Sequence, residues 1–178
     1  MGIARRKGLA MTTTIRHEAP TDADAIHGLT TAAFLDAPHS DGTEPFIVDA
    51  LRAAGALDIS LVAEQAGEIV GHVAVSPVTV SDGSCGWYGL GPISVHPERQ
   101  GQGIGSELVR TALRCLQERS AAGCVLLGEP AYYARFGFRP EPGLTLPDVP
   151  PAYFQALALG ASVPHGVVSY HEAFHPRG

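Results

Sequence analysis

From Pro20 onward the apolar positions recur at helical spacing. In "PTDADAIHGLTTAAFL", Ala25, Ile26, Leu29, Ala33 and Phe34 fall on one face, and Thr21 or Asp22 stands where an N-cap belongs. A polar, turn-rich link, "DAPHSDGTEP", leads to a second helix, "FIVDALRAAG", with Gly55 placed to close it. The period then shortens to two. Residues 59–95 hold three strand-like runs, divided at "QAGE" and "SDGS", both suited to tight turns. Pro77 and Pro92 interrupt the second and third runs and mark a bulge or a sheet edge.

Past a glycine cluster, Ile104, Leu108, Val109, Ala112, Leu113 and Leu116 form an apolar stripe, with Glu107, Arg110, Arg114 and Glu118 outside it. That pattern predicts an amphipathic helix of about four turns. "GCVLLG" reads as a short buried strand, "PAYYARF" as a brief helix, "AYFQALAL" as helical and "GVVSYHEAF" as a strand. Neither an internal repeat nor a clean linker divides the chain. The expectation is one α/β (α+β) domain over residues 13–178, its part 139–178 rich in proline, behind a flexible leader at 1–12. Met11 is an equally good start.

Composition narrows the class. The chain has 178 residues, 45% hydrophobic and 17% charged, which suits a globular domain with a core. No apolar run reaches the roughly 20 residues that span a bilayer. The basic opening "MGIARRKGLA" lacks the apolar stretch of a signal peptide. A formal net charge of −6 argues against a general nucleic-acid binder. Cys85, Cys115 and Cys124 are widely spaced and form no CxxC pair, so reduced thiols in the cytoplasm are expected. His165, His171 and His175 with Glu172 are irregularly spaced, and no metal site is expected there.

The glycines of "VHPERQGQGIGSELV" are the strongest chemical signal. No lysine follows them, so the GxxxxGK[ST] phosphate loop fails, and the G-x-G-x-G spacing does not fit the dinucleotide fingerprint. A strand, a glycine turn and a helix start remain, an arrangement whose free amides and helix dipole suit a pyrophosphate. A flexible entry to the helix is the plain alternative.

These residues resemble the acyl-CoA-binding motif [QR]-x-x-G-x-[GA] of the GNAT superfamily of N-acetyltransferases, filled by Gln100, Gly103 and Gly105. "YYARFGF" resembles the later family motif Y-x-x-x-G-F, filled by Tyr133, Gly137 and Phe138. The resemblance covers residues 15–138 in element order. It implies a mixed, mostly antiparallel sheet with helices on both faces and splayed central strands. It also implies acetyl-CoA as co-substrate, its pyrophosphate held by Arg99, Gln100, Gly101, Gln102, Gly103, Ile104, Gly105 and Ser106. Its pantetheine arm would pair with backbone groups of Ile93, Ser94 and Val95, between "GPISV" and "CVLLG".

By the same resemblance an amine attacks the thioester directly, a backbone N–H near Ser94 or Val95 meets the oxyanion, and Tyr133 is the general acid. Tyr132 is its structural neighbour, although the two exchange roles if the short helix is rotated. The base stays open, because "GLGPISV" carries no carboxylate; Glu129, Glu64, His39 or water are the alternatives. Trp87, Tyr88 and Phe46 either border the acceptor site or belong to the core. The expected function is acetyl transfer to a small-molecule amine. A regulatory acyl-CoA-binding module, or an acetyltransferase acting on a protein or peptide, are the competing readings. Neither nucleic acid nor membrane is an expected partner. A homodimer is common for the fold, and the Pro-rich tail is the candidate for its interface or for a lid.

Overall fold

A computed structural model describes residues 11–160 and 162–175, so residues 1–10 of the expected leader lie outside the described residues. The chain enters on a strand, β1 (Thr13–His17), followed by α1 (Ala23–Phe34) and α2 (Glu44–Ala53). Next come β2 (Ile59–Gln65), β3 (Glu68–Pro77), the short β4 (Thr79–Val80) and β5 (Trp87–Val95). After the glycine loop lie α3 (Ile104–Glu118), β6 (Gly123–Leu127), α4 (Pro130–Tyr133), β7 (Leu144–Thr145), β8 (Phe154–Ala158) and β9 (Gly166–Ser169).

Six strands form the main sheet in the order β1-β2-β3-β5-β6-β8, and β4-β9-β7 form a second, smaller one. Every pairing in the main sheet is antiparallel except β5 with β6. The period-two pattern of the middle strands sends alternate residues to opposite faces. Leu61, Ala63, Val73 and Val75 pack under Ile104, Leu108 and Ala112 of α3. Val62 and Ala74 pack under Ile26 of α1 and Val48 of α2. Helices therefore cover both faces, as the fold expectation requires. At Gly71 a Cβ would lie 2.9 Å from Ile104 Cγ2 and 3.0 Å from Leu108 Cδ1, so its absence lets α3 settle onto the sheet.

The "QAGE" turn is a two-residue hairpin, with Ala66 at φ 49° and Gly67 at φ 79°, the left-handed geometry that matches strand twist. Pro92 marks a bulge. Val73 faces Ile93 and Val75 faces Leu90, which leaves Gly91 and Pro92 opposite Ala74 alone.

Three expectations need correction. "AYFQALAL" is not helical: Phe154–Ala158 is the edge strand β8, in register with all of β6 from Leu127↔Phe154 to Gly123↔Ala158. Its Ala, Leu and Gln are good helix formers, but burying Phe154 and Ala156 beside Trp87 and Val125 outweighs that preference. In "GVVSYHEAF" only Gly166–Ser169 is strand; Glu172–Phe174 is a 3₁₀ turn. The first element is also a strand, not a helix. β1 pairs with β2 from Thr13↔Gln65 to His17↔Leu61. The Pro-rich part is no appendage, because Leu144, Phe154 and Val168 share a core cluster with Val78, Val80, Trp87 and Val125.

Candidate active site

The parallel pairing of β5 with β6 runs from Trp87↔Gly123 to Gly89↔Val125 and stops there. Beyond it β5 bends at the Gly91–Pro92 bulge, while β6 continues along β8. The two strands therefore part, as splayed strands should. The ladder fixes which backbone groups face the gap. His96 donates its N–H to the Val70 carbonyl at 2.8 Å, and bonded pairs alternate along an antiparallel ladder. Ser94 with His72 is then the next bonded pair, and Ile93 and Val95 turn their N–H and C=O away from β3. In agreement, the Val95 carbonyl accepts a bond from Gln100 Nε2 at 3.3 Å. Ser94 itself is buried, and its hydroxyl donates to Thr30 Oγ1 at 3.3 Å, so its amide and side chain both serve the fold.

At the C-terminal end of β5 the chain makes a 3₁₀ turn, Pro97–Arg99, and enters the glycine loop. Gly101 and Gly103 have φ of 78° and 84°, where any other residue is strained, and a Cβ at either would meet nothing within 4 Å. Gly103 caps α3, and its carbonyl accepts the Glu107 N–H at 3.1 Å. The preceding amides, of Ile104, Gly105 and Ser106, are those a helix start leaves without an intrahelical partner. Gln100, Gly101, Gln102 and Gly103 are exposed, Arg99, Gly105 and Ser106 half-buried, and the Ile104 side chain belongs to the core. Gly105 has a different reason: a Cβ there would lie 3.4 Å from the hydroxyl of Tyr132.

That hydroxyl joins the two motifs. Tyr132 Oη lies 3.1 Å from Ser106 Oγ, tying α4 to the first turn of α3. Arg135 stacks on the Tyr132 ring with its guanidinium 4.4 Å from the centroid. Tyr133 points the other way. Its ring contacts Tyr132, Phe136 and Phe138 edgewise or tilted, with centroids 4.9, 6.2 and 6.3 Å apart. Burial, with a smaller contribution from Tyr132, pushes its phenol up to about 12. Tyr133 is thus a protonated phenol at neutral pH.

Tyr133 lines a cavity of about 880 Å³. Its walls come from the end of α1 (Phe34), the link to α2 (Pro38, His39), the first turn of α2 (Glu44, Ile47) and the β5 bulge (Leu90 to Ile93). The end of β6 (Leu127, Gly128) and the C-terminal part (Leu146 to Val149, Val168 to Tyr170, Phe174, His175) complete them.

A family model described as an acetyltransferase (GNAT) domain matches residues 57–140. Over 169 residues the chain is 38% identical to an uncharacterized N-acetyltransferase, YhbS, of Escherichia coli (strain K12), covering 90% of this chain and 98% of the relative. The chain belongs to the GNAT family of acetyltransferases. Solved relatives carry the same fold. A GNAT family acetyltransferase from Brucella melitensis in complex with acetyl-CoA is 50% identical, with a TM-score of 0.82 over 92% of this chain and 98% of that one. YhbS from Escherichia coli in complex with CoA is 35% identical, with a TM-score of 0.86 over 95% of both chains.

In this GNAT acetyltransferase the residues read from the two motifs converge on one region, while the base alternatives scatter. Glu64 is bound by Arg16 at 2.8 Å on the β1–β2 edge, and Glu129 is exposed before α4; neither lines the cavity. His39 does, with φ of 66°. Trp87 is core, Tyr88 packs against the main cluster, and Phe46 is exposed beside His27. Sequence reasoning missed Glu44 and Asp148, both cavity-lining, and assigned no role there to Tyr170 or His175. No local motif marks them, because long-range packing of the C-terminal part brings them in. Among the described residues no three His, Cys, Asp or Glu side chains gather as metal ligands.

Proposed function

We propose that the protein transfers the acetyl group of acetyl-CoA to the amine of a small molecule, with Tyr133 as the general acid. The observation that carries this reading is the phenol itself. It stands on the cavity wall beside the point where β5 and β6 part, and its burial keeps the proton in place. The open space over Gly101 and Gly103, the unpaired amides at the start of α3 and the outward-facing backbone of Ile93 and Val95 fit the co-substrate. Residues 99–106 hold its pyrophosphate, while Ile93 and Val95 pair with its pantetheine arm. Bound there, acetyl-CoA supplies an acyl thioester.

The protein's own groups do the rest. The outward N–H of Ile93, on the cavity wall with Tyr133, stabilises the charge that develops on the carbonyl oxygen without reorganisation, which leaves the Ile93 carbonyl and the Val95 N–H to the pantetheine arm. As the C–N bond forms and the C–S bond breaks, Tyr133 gives its proton to the departing sulfur, and the proton lost from the amine nitrogen passes to water, from which the phenol is restored. The concave, largely apolar cavity favours a small acceptor over a folded protein surface. The unpaired Cys85, Cys115 and Cys124 support a cytoplasmic setting.

Tyr133→Phe tests the reading. Thiol release from acetyl-CoA with a panel of amines should fall by about 10²–10⁴-fold, with thermal stabilisation by acetyl-CoA retained. Equal rates for the two proteins would exclude Tyr133 as the acid. Stabilisation without turnover of any amine by the wild type would instead favour an acyl-CoA-binding module.

A further inference from the structure

The cavity walls hold a charge imbalance. The carboxylates of Glu44 and Asp148 line it, together with the imidazoles of His39 and His175 and the phenols of Tyr133 and Tyr170, and among the described residues no lysine or arginine does. The remaining lining is largely apolar, including Phe34, Ile47, Leu90, Leu127, Val149 and Phe174.

Glu44 is held unusually well on one side only. Its Oε1 accepts the Ser40 hydroxyl at 2.8 Å, and the Ser40 Oγ in turn accepts the Gly42 N–H at 3.2 Å. Asp41 accepts from both the backbone N–H and the hydroxyl of Thr43, at 3.1 and 2.6 Å, which fixes the turn leading into α2. The other oxygen of Glu44, Oε2, is shut off from solvent and has no hydrogen-bond partner. A buried acceptor left unpaired costs free energy, more so when charged, so the site gains from a ligand that brings a donor.

We propose that the acceptor is a primary amine on an apolar, carboxylate-free body, and that Glu44 receives its ammonium group through Oε2; the ammonium loses one proton to solvent water before the neutral nitrogen attacks. This rests on the transferase reading and adds the acceptor's chemical class. The apolar walls match the body, and the orphan carboxylate oxygen matches the N⁺–H donor. Among the described lining residues no fixed positive charge stands ready for an acceptor carboxylate. An α-amino acid would set its carboxylate against Glu44 and Asp148 with no fixed positive charge to meet it. A polyamine or aminoglycoside would leave polar groups unpaired against the apolar walls.

The test compares 2-phenylethylamine with phenylalanine, which differ by one carboxylate, and adds spermidine. Assays run at pH 8, above the ordinary imidazole range. Calorimetry with CoA present reads amine affinity, and thiol release reads turnover of acetyl-CoA. The wild type should bind and acetylate 2-phenylethylamine at least tenfold better than either competitor. Glu44→Gln should weaken its affinity and raise KM by about 10–100-fold, as expected for a lost charge-assisted bond. Its kcat should change less, and its stabilisation by acetyl-CoA should be unchanged.

Preferential turnover of phenylalanine or spermidine would overturn this proposal and leave the transferase reading standing. Equal affinity of Glu44→Gln and wild type for 2-phenylethylamine would overturn the role of Glu44. Turnover of no amine, with acetyl-CoA still bound, would overturn both readings.

Discussion

Replacing Gly128 by alanine tests whether the position of Tyr133 matters, without touching its hydroxyl. Gly128 follows β6, and a Cβ there would lie 2.7 Å from Tyr133 Cδ2 and nearer still to Cε2. Carbon atoms in contact need about 3.5–4.0 Å, so the ring must retreat by roughly 1 Å. Phe138 is buried behind it, and Tyr132 and Phe136 flank it, so the ring has little room to pivot without disturbing its neighbours. A displacement of about 1 Å at a reacting group costs on the order of 10²-fold in rate, and overpacking costs about 1–3 kcal/mol in stability. Gly128→Ala should therefore lower kcat in the thiol-release assay by about 10²-fold, keep acetyl-CoA binding by thermal shift, and melt several degrees lower.

Gly67→Ala supplies the control. That glycine has φ of 79° in the β2–β3 turn, with nothing within 4 Å of an added Cβ. It should lose about 1–2 kcal/mol to backbone strain and keep full activity. Wild-type kcat in Gly128→Ala would refute the placement of the acid at Tyr133. Equal losses of kcat in both variants would trace the effect to stability.

Gly103→Glu places a charged side chain in the open space at the start of α3, so acetyl-CoA at about 100 times its wild-type Kd should no longer add the expected ~2.7 kcal/mol of stability; unchanged calorimetric affinity would remove the loop from the cofactor site. Because burial holds the Tyr133 phenol up to about 12, it should contribute no alkaline limb to kcat below about pH 10. A limb near pH 9 that vanishes in Tyr133→Phe would contradict that. His72, buried between strands with Nε2 2.8 Å from Ser60 Oγ, is held down to about 3 by loss of solvation and by Arg52. Its folded-state value lies below that of the unfolded chain, so its contribution is complete above about pH 6.5 and fades as pH falls toward 3. Urea unfolding should lose about 2 kcal/mol from this group between pH 6.5 and 5, a loss absent in His72→Gln.

How much the sequence disclosed follows how local each feature is. Residues 93–106 lie in one continuous stretch, and the strand end, the positive-φ glycines and the helix stripe are all adjacent in sequence, so the strand, glycine turn and helix start were legible without any long-range contact. The hairpin at Ala66–Gly67 and the bulge at Pro92 were legible for the same reason, since turn chemistry is written in two or three residues. β8 was not, because five residues of Phe, Gln, Ala and Leu say "helix" until β6 offers them a ladder. β1 is equally short and lies on an edge, with every residue but Ile15 polar, so its β-branched Thr13, Thr14 and Ile15 carry little weight without β2 beside them.

The same contrast separates the two halves of the site. The elements assigned to acetyl-CoA come from β5 and α3, both packed in the main core. The wall opposite comes from the α1–α2 link and from chain after residue 139, anchored in a separate cluster of Val78, Trp87, Phe154 and Val168. Changes in Glu44, Leu146, Asp148 or Phe174 can alter what the cavity accepts while the glycine loop and the split between β5 and β6 stay intact. Acceptor choice should then move independently of cofactor affinity: Phe174→Ala should shift the ranking of amines in the thiol-release assay and leave acetyl-CoA stabilisation unchanged. Phe174 packs on Tyr170, with centroids 4.9 Å apart, and against the α2 cluster of Ile47 and Leu51, so some loss of stability will accompany the shift. A parallel loss of acetyl-CoA affinity in that variant would show the two halves to be one coupled unit.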